Sequence, residues 1–317
     1  MQILVTGGSG FIGSHVVEAL KSAEHNVTNL DIRSNGTQDN YVQGDIRDME
    51  SLKVAIEAHG KDAVYHIGAI ANARQALEYP VSAVDINIGG TAAVLEAARQ
   101  VKVKRVFLAS TVWVYNGVDR TVKPGDTLPK MLDESEKLLP TGAGHFYSTS
   151  KIASELLCHD FFKLHGQEFT ILRFGIPYGP RMWPGLALRA FMDNVFSDQP
   201  IRIFGDGSAV RRFVYVEDLA RAHVLALSDV ARNQTYNLEG GRDVTIKELA
   251  ETVVRHVGKG EIEYVVDPSR RGELSMEQII ISNDKAKRDL DWSPSTPLDE
   301  GVRRTIDWYK KELNYDG

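Results

Sequence analysis

A short apolar run, Ile3-Leu4-Val5, leads directly into Gly7-Gly8-Ser9-Gly10-Phe11-Ile12-Gly13. In the spacing Gly7-x-x-Gly10-x-x-Gly13 the first glycine permits a tight turn off a strand. The second lets the backbone approach a pyrophosphate, and the third lets a helix pack closely on the sheet. A helix opening there directs free N–H groups and its positive dipole end at the phosphates. An acidic residue, Asp31, follows roughly 20 residues on, at the end of a second β-branched run, as a dinucleotide fold requires. A carboxylate in that place accepts hydrogen bonds from ribose hydroxyls and repels a 2′-phosphate, so NAD is expected over NADP. Arg33 is the contrary signal, because its guanidinium could meet a 2′-phosphate; its other reading is a solvated loop residue. Asp45, in Gly44-Asp45-Ile46, suits either a contact with the adenine amino group or the N-cap of the next helix.

Period-2 and period-3.6 segments then alternate. Strands are expected at 3–5, 27–31, 63–67, 105–110 and 169–174, and helices at 11–22, 91–100 and 148–164. Such alternation means βαβ units, right-handed crossovers and a parallel sheet. After Phe174 the texture changes, with Pro177, Gly179, Pro180, Pro184, Gly185, Pro200, Gly205 and Gly207 punctuating shorter segments. Helical patterns return at 186–195, 216–228, 246–257 and 297–313, with short strands near 201–204, 235–238 and 261–266. The fold class is α/β: a Rossmann-type doubly wound parallel sheet with a smaller α/β substrate-binding lobe. The dinucleotide-binding domain is expected over 1–174 with a returning segment near 213–240, and the lobe over 175–212 and 241–317.

Composition narrows the partners. Of 317 residues 43% are hydrophobic and 25% charged, with a net charge of −6. That balance, without a basic stripe, argues against a nucleic-acid partner. A single cysteine, Cys158, rules out an intramolecular disulfide and suits a reducing compartment. Its expected role is a buried small residue. No run approaches 18 consecutive apolar residues, so no membrane-spanning helix is expected. The opening Met1-Gln2-Ile3 lacks the charged start of a signal peptide, and the cytoplasm is the expected location. The nine histidines form no ligand cluster, so no metal is expected.

The reaction is suggested by Tyr147 and Lys151. A spacing of four places both on one helix face. An unperturbed phenol, with a pKa of about 10, is a poor base at neutrality. An ammonium about 4 Å away contributes roughly 4 kcal/mol at an effective dielectric of 20, or about three pKa units. Phenolate chemistry then comes within reach. Such a pair also arises by chance, but Ala109-Ser110-Thr111 ends a strand at the same crevice. Ligands of open α/β sheets bind beyond the carboxyl ends of the strands. A Thr111 hydroxyl there can bond a reacting sugar oxygen and pass a proton. Trp113 either packs in the core or lines the sugar pocket with its large aromatic surface and single donor.

With these residues in place the chain resembles the extended short-chain dehydrogenase/reductase family, NAD-dependent epimerase/dehydratase type, over nearly its whole length. The matching residues are Gly7, Gly10, Gly13, Asp31, Asp45-Ile46, His66 to Ala69, Asn87, Ser110-Thr111 before Val114-Tyr115, and Tyr147 with Lys151. Arg173 to Pro180, Ile203 to Gly207, Arg211 to Asp218 and Arg270 to Glu273 complete the match. The resemblance implies a cofactor site of Gly7, Gly10, Phe11, Ile12, Gly13, Asp31, Arg33, Asp45, Ile46, Ile67, Gly68, Ala69, Asn87, Ser110, Tyr147, Lys151, Phe174 and Ile176. It implies Thr111, Tyr147 and Lys151 as the catalytic set, and Thr111, Trp113, Tyr147, Ile176, Arg211 and Arg270 around a nucleotide-sugar. The most similar members are UDP-hexose 4-epimerases, which oxidise the sugar transiently and return the hydride to the opposite face.

Three departures bear on the substrate. Ile176 stands where the family usually has Asn, Arg212 where it has Asp, and Asn116 where Gly is common. Val112 and Trp113 stand where the 4,6-dehydratases carry an Asp-Glu acid–base pair, which argues against water elimination. The rival readings are a nucleotide-sugar or carbonyl oxidoreductase with net redox turnover, and a non-catalytic redox sensor on the same fold. Apolar faces on 91–100 and 152–164 exceed what one sheet contact needs, and by resemblance a homodimer is expected.

Overall fold

The computed structural model describes residues 1–33, 40–118, 131–139, 144–266 and 280–313. Seven strands form one parallel sheet: β1 (Gln2–Thr6), β2 (Asn26–Asp31), β3 (Tyr41–Gln43), β4 (Ala63–His66), β5 (Arg105–Thr111), β6 (Glu168–Phe174) and β7 (Gln234–Leu238). Their order is β7-β6-β5-β4-β1-β2-β3. The chain winds outward in both directions from β1 and β4, where the order reverses, and the crevice beyond those strand ends is where such folds hold ligands. Apart from the edge strand β3, the strands are largely buried, and Ile3, Leu4, Val5, Val64, Val106 and Ile171 are inaccessible or nearly so. Continuous apolar runs of this kind follow from helices covering both faces of a parallel sheet.

Helix α1 (Phe11–Ser22) buries Phe11, Val16, Val17 and Leu20, the expected 3.6-residue stripe. Helix α2 (Met49–His59) has no counterpart among the expected elements. It is opened by Asp48, whose side chain accepts the Ser51 N–H. Helix α3 (Gly90–Val101) places Val94, Leu95, Ala97 and Ala98 in the same core cluster as Leu52, Ala55 and Ile56 of α2. The apolar face expected to be spare on 91–100 is thus consumed inside the core. Helix α4 (Phe146–His165) starts two residues earlier than its apolar pattern suggests and ends at Gly166, in the left-handed region at φ 72°.

Before α3 the chain is helical from Pro80, with a π turn at Asp85–Gly89. The run 80–101 is long and apolar enough, by length and composition alone, to cross a membrane. Its polar residues Asn87 and Thr91 are turned inward and hydrogen-bonded within the fold, as in the core helix of a globular domain.

The chain divides into two compact units. The first comprises Met1–Gly175, Leu219–Leu238 and Ile280–Ser293. The returning segment therefore spans 219–238 rather than 213–240. Residues 280–293, assigned to the smaller lobe by sequence, belong to the first unit. The second unit comprises Ile176–Asp218 with the described parts of 239–279 and 294–317. Within it Ile176–Tyr178 pairs in parallel with Phe213–Tyr215, and Ile201–Phe204 with Ile262–Val265. Asp218 accepts hydrogen bonds from the Ser295 N–H and hydroxyl and from the Thr296 N–H, which fixes the chain entering the last helix.

Candidate active site

The glycine loop is shaped as its spacing requires. Gly7 has φ 73°, and a Cβ there would lie 2.5 Å from the Gly68 Cα. A Cβ on Gly13 would lie 2.1 Å from the Gly7 carbonyl oxygen. Both contacts are with backbone, so no side-chain adjustment relieves them. The loop thus lies directly on residues 67–68 at the end of β4, bringing together two segments assigned to the cofactor. Helix α1 begins at Gly10 without a side-chain cap and with no acidic residue in its first turn. That leaves its positive end suited to a pyrophosphate. The residues present fit an NAD pyrophosphate and a ribose at Asp31.

Asp31 is buried at the end of β2. Its Oδ2 accepts the Ser9 N–H at 3.0 Å and its Oδ1 the Arg33 N–H at 3.0 Å. The carboxylate therefore ties the glycine loop to its own strand end. Arg33 is largely exposed and reaches Asp31 at 3.5 Å. Asp45 is not a helix cap; Asp48 takes that place. Asp45 is instead held by Arg47, whose Nη2 lies 2.6 Å away, while Arg47 Nη1 bonds Asp85 at 2.9 Å. The guanidinium holds the Asp45 carboxyl below the usual carboxylate range. Ile46 is buried and fills the space beside Gly90, where a Cβ would meet its Cδ1 at 2.7 Å.

Asn87 is fully engaged inside the protein. Its Oδ1 accepts the Ile70 N–H at 2.8 Å, and its Nδ2 donates to the Ile70 carbonyl at 3.1 Å and the Ser150 hydroxyl at 2.9 Å. It thereby pins the loop after β4 to helix α4. His66 bridges Thr6 and Thr91 with its two ring nitrogens at 2.9 and 3.0 Å. Burial, with Lys151 adding, pushes its pKa down to about 3, so it is a neutral structural imidazole.

The residues expected to be catalytic meet at the carboxyl end of β5. Thr111, paired in register with Phe174 of β6, hydrogen-bonds the Tyr147 side chain. Tyr147 is half-buried in the first turn of α4, and Lys151 lies one turn on. The expected electrostatics are not found. Lys151 Nζ donates to the Ala109 carbonyl at 2.8 Å and sits 6.0 Å from the centre of the Tyr147 ring. Burial of the phenol pushes its pKa up to about 12, against the opposing pull of the Thr111 hydrogen bond. Burial also brings Lys151 down to about 8, with Glu155 working the other way. At neutral pH Tyr147 is a proton donor and Lys151 is predominantly charged, fixed to the strand end by Ala109.

Beneath the cluster lies a polar chain. Ser110 donates to Glu155 at 2.5 Å, Glu155 pairs with Arg173 at 2.6 Å, and Arg173 donates to the Tyr115 hydroxyl at 2.6 Å. The Ser110 hydroxyl proton is thus committed within the protein. Phe174 ends β6 buried against His223, with ring centres 5.4 Å apart. Trp113 is not a core residue: it is 36% exposed.

In the second unit Ile176 begins the strand paired to Phe213. Arg211 Nη1 bonds its own neighbour, the Val210 carbonyl, at 2.8 Å. The extra charge of Arg212 is matched by Asp243 at 2.6 Å, which accounts for that departure locally. Arg270, and the segment 270–273 with it, lie outside the described residues.

The family model described as NAD dependent epimerase/dehydratase family matches residues 3–238. The chain belongs to that family.

Its relatives include a protein named putative UDP-glucose 4-epimerase from Methanocaldococcus jannaschii, 35% identical over 97% of this chain and 98% of the relative. A UDP-glucuronate 4-epimerase from Thermodesulfobacterium geofontis is 30% identical over 98% and 96%. A human dTDP-D-glucose 4,6-dehydratase is 26% identical over 99% and 91%. Among solved structures, Thermus thermophilus UDP-glucose 4-epimerase in complex with NAD superposes with a TM-score of 0.82 at 31% identity, covering 98% of this chain and 99% of that one. The protein is an NAD-dependent enzyme of the nucleotide-sugar epimerase/dehydratase type.

For this family member the sequence reading missed one residue at the centre of the site. His145 precedes the Tyr147 turn and packs against both Trp113 and Tyr147. The available signal was its place three residues before Ser148, where a side-chain acceptor caps a helix. Histidine is outside the usual Ser, Thr, Asp and Asn set, so the pattern does not draw attention.

Proposed function

We propose that the protein is a nucleotide-sugar 4-epimerase, of the UDP-glucose/UDP-galactose type. The observation that carries this reading is the Thr111–Tyr147–Lys151 cluster at the end of β5, followed at once by Val112 and Trp113. Val112 is buried, and neither of these two side chains can transfer a proton. The acid–base pair that the resemblance assigns to 4,6-dehydratases in those positions is missing. Epimerisation needs only one proton-transfer group, used in both directions.

NAD bound over the glycine loop supplies reversible hydride acceptance. Once ionised, with its own proton released to solvent, Tyr147 takes the proton of the sugar hydroxyl as the alcohol becomes a ketone, and returns it when the alcohol is restored. Thr111 hydrogen-bonds Tyr147 and stabilises the form that has lost its proton. Lys151, anchored on Ala109, keeps a positive charge 6.0 Å from the ring, which favours the phenolate when it forms. Burial of the phenol works against this ionisation.

The dimer reading keeps the face within 152–164 and exchanges the stripe on 91–100 for the helical segments before it. On α4, Leu156, Phe162 and Leu164 are exposed, and on the helical segments at 73–84 so are Leu77, Val81 and Val84. These two stretches pack on one another, and we infer that they form a self-complementary face of a homodimer in the cytoplasm.

The test is incubation of the purified protein with a panel of UDP- and dTDP-sugars, without added cofactor, followed by NMR. Conversion of one C4 epimer to the other is expected, with NAD retained through purification. Formation of a 4-keto-6-deoxy product would make it a dehydratase. Stoichiometric consumption of added NAD(P)H would make it a net oxidoreductase. Tyr147→Phe is expected to lower turnover by roughly 10²- to 10⁴-fold.

A further inference from the structure

Three rings meet at the mouth of the reacting cluster. The His145 ring centre lies 6.1 Å from that of Tyr147 at an interplanar angle of 20°. It lies 5.0 Å from Trp113 at 64°, and Trp113 and Tyr147 stand 6.4 Å apart at 81°. His145 is also the N-cap of α4: in extended backbone, its Nδ1 accepts the Ser148 N–H at 3.1 Å. This is the bond from the cap to the third helical residue that Ser, Thr, Asp or Asn ordinarily make.

The placement matters because Tyr147 lies in the first turn of α4, whose N–H groups have no partner inside the helix. Lys151 is a full turn further in and is held independently by the Ala109 carbonyl. The position of Tyr147 therefore depends on the cap, whereas that of Lys151 does not. Because Nδ1 accepts a backbone N–H, the proton of the neutral imidazole resides on Nε2. Burial lowers the His145 pKa, which favours this neutral capping form.

We propose that His145 is a positioning residue of the active site, holding Tyr147 in place through the Nδ1 cap on its helical turn and through the stack of its ring on the phenol. This rests on the epimerase reading for its kinetic consequence, but not for its structural one. The two contacts are separable. His145→Asn keeps a capping acceptor and removes the ring. His145→Phe keeps a ring and removes the acceptor. His145→Ala removes both.

The experiment measures, in the full-length protein, kcat and KM for the nucleotide-sugar that the wild type turns over, together with amide hydrogen exchange over 146–149. In His145→Ala, kcat is expected to fall roughly ten- to a hundredfold, with KM within twofold and NAD content unchanged. The Asn and Phe variants each recover part of that loss. Exchange of the Ser148 amide is expected to rise roughly fivefold in the Phe and Ala variants and to stay near wild type in the Asn variant. Turnover within twofold of wild type in all three variants overturns the proposal. So does Ser148 exchange in His145→Phe that matches wild type. If the wild type turns over no nucleotide-sugar, the functional reading falls, and the exchange pattern by itself upholds or overturns the role of His145 as the latch on Tyr147.

Discussion

Arg173 and Glu155 form an ion pair with Nη2 and Oε2 2.6 Å apart and their side chains only 6% and 4% exposed. The pair joins β6 to α4 and is extended by Ser110 on one side and Tyr115 on the other. Removing one partner leaves a buried charge without its counter-ion. Glu155→Ala is expected to cost about 3–5 kcal/mol, read as a shift in the urea midpoint. The paired change Glu155→Leu with Arg173→Met should cost clearly less than the sum of its single changes. Additive losses would show that the two side chains are energetically independent.

Gly13 is the position of the loop least able to accept a side chain, because its added Cβ would lie 2.1 Å from the Gly7 carbonyl oxygen. Gly13→Ala must push helix α1 away from the turn to which the pyrophosphate is assigned. The variant is expected to purify without NAD, seen as loss of absorbance and of extractable cofactor, while far-ultraviolet circular dichroism still reports an α/β fold. Retention of stoichiometric NAD would contradict the placement of the pyrophosphate at this turn.

Glu239 is buried just beyond β7, and burial raises its pKa from 4.5 to about 7, with Asp243 adding and the Gly240 N–H and Arg212 opposing. The folded state thus binds this proton more tightly than the unfolded chain. Its contribution to stability is complete below pH 4.5 and is lost as pH rises through 7. The ceiling on that contribution is about 3 kcal/mol. Glu239→Gln keeps an acceptor for the Gly240 N–H and removes the titration. Stability measured by urea unfolding should depend less on pH between 4.5 and 7 in the variant, and at pH 8 the variant should exceed wild type. An unchanged slope would sink the assignment.

The exposed apolar residues of α4 and of the segment before it give a direct test of assembly. Leu156→Glu together with Val81→Glu is expected to convert a dimer into a monomer in sedimentation equilibrium, with little effect on the thermal midpoint of the separated subunit. Both residues are exposed, so the core is untouched. A wild type that sediments as a monomer would remove the dimer reading.

Local pattern was enough for the frame. A strand, three glycines at fixed spacing and an acidic strand end dictate a doubly wound sheet with NAD at its turn, because each of those requirements is met within a few residues of chain. The pairing of Tyr147 with Lys151 on one helix face follows from the helical repeat in the same way. What tertiary structure decided was the state of those groups. Lys151 is drawn to Ala109, 42 positions away, and the phenol is desolvated rather than made more acidic. Asp45 is held by Arg47, which also bonds Asp85, instead of capping a helix. The apolar stripe on 91–100 is absorbed by α2, and the imidazole that caps the turn of Tyr147 meets edge-on a tryptophan more than 30 residues earlier in the chain. Burial and partnership set a side chain's charge, and both are sums over residues distant in sequence, so the sequence by itself determined the fold and the placement of Tyr147 beside Lys151 while only the folded chain decided the electrostatics around them.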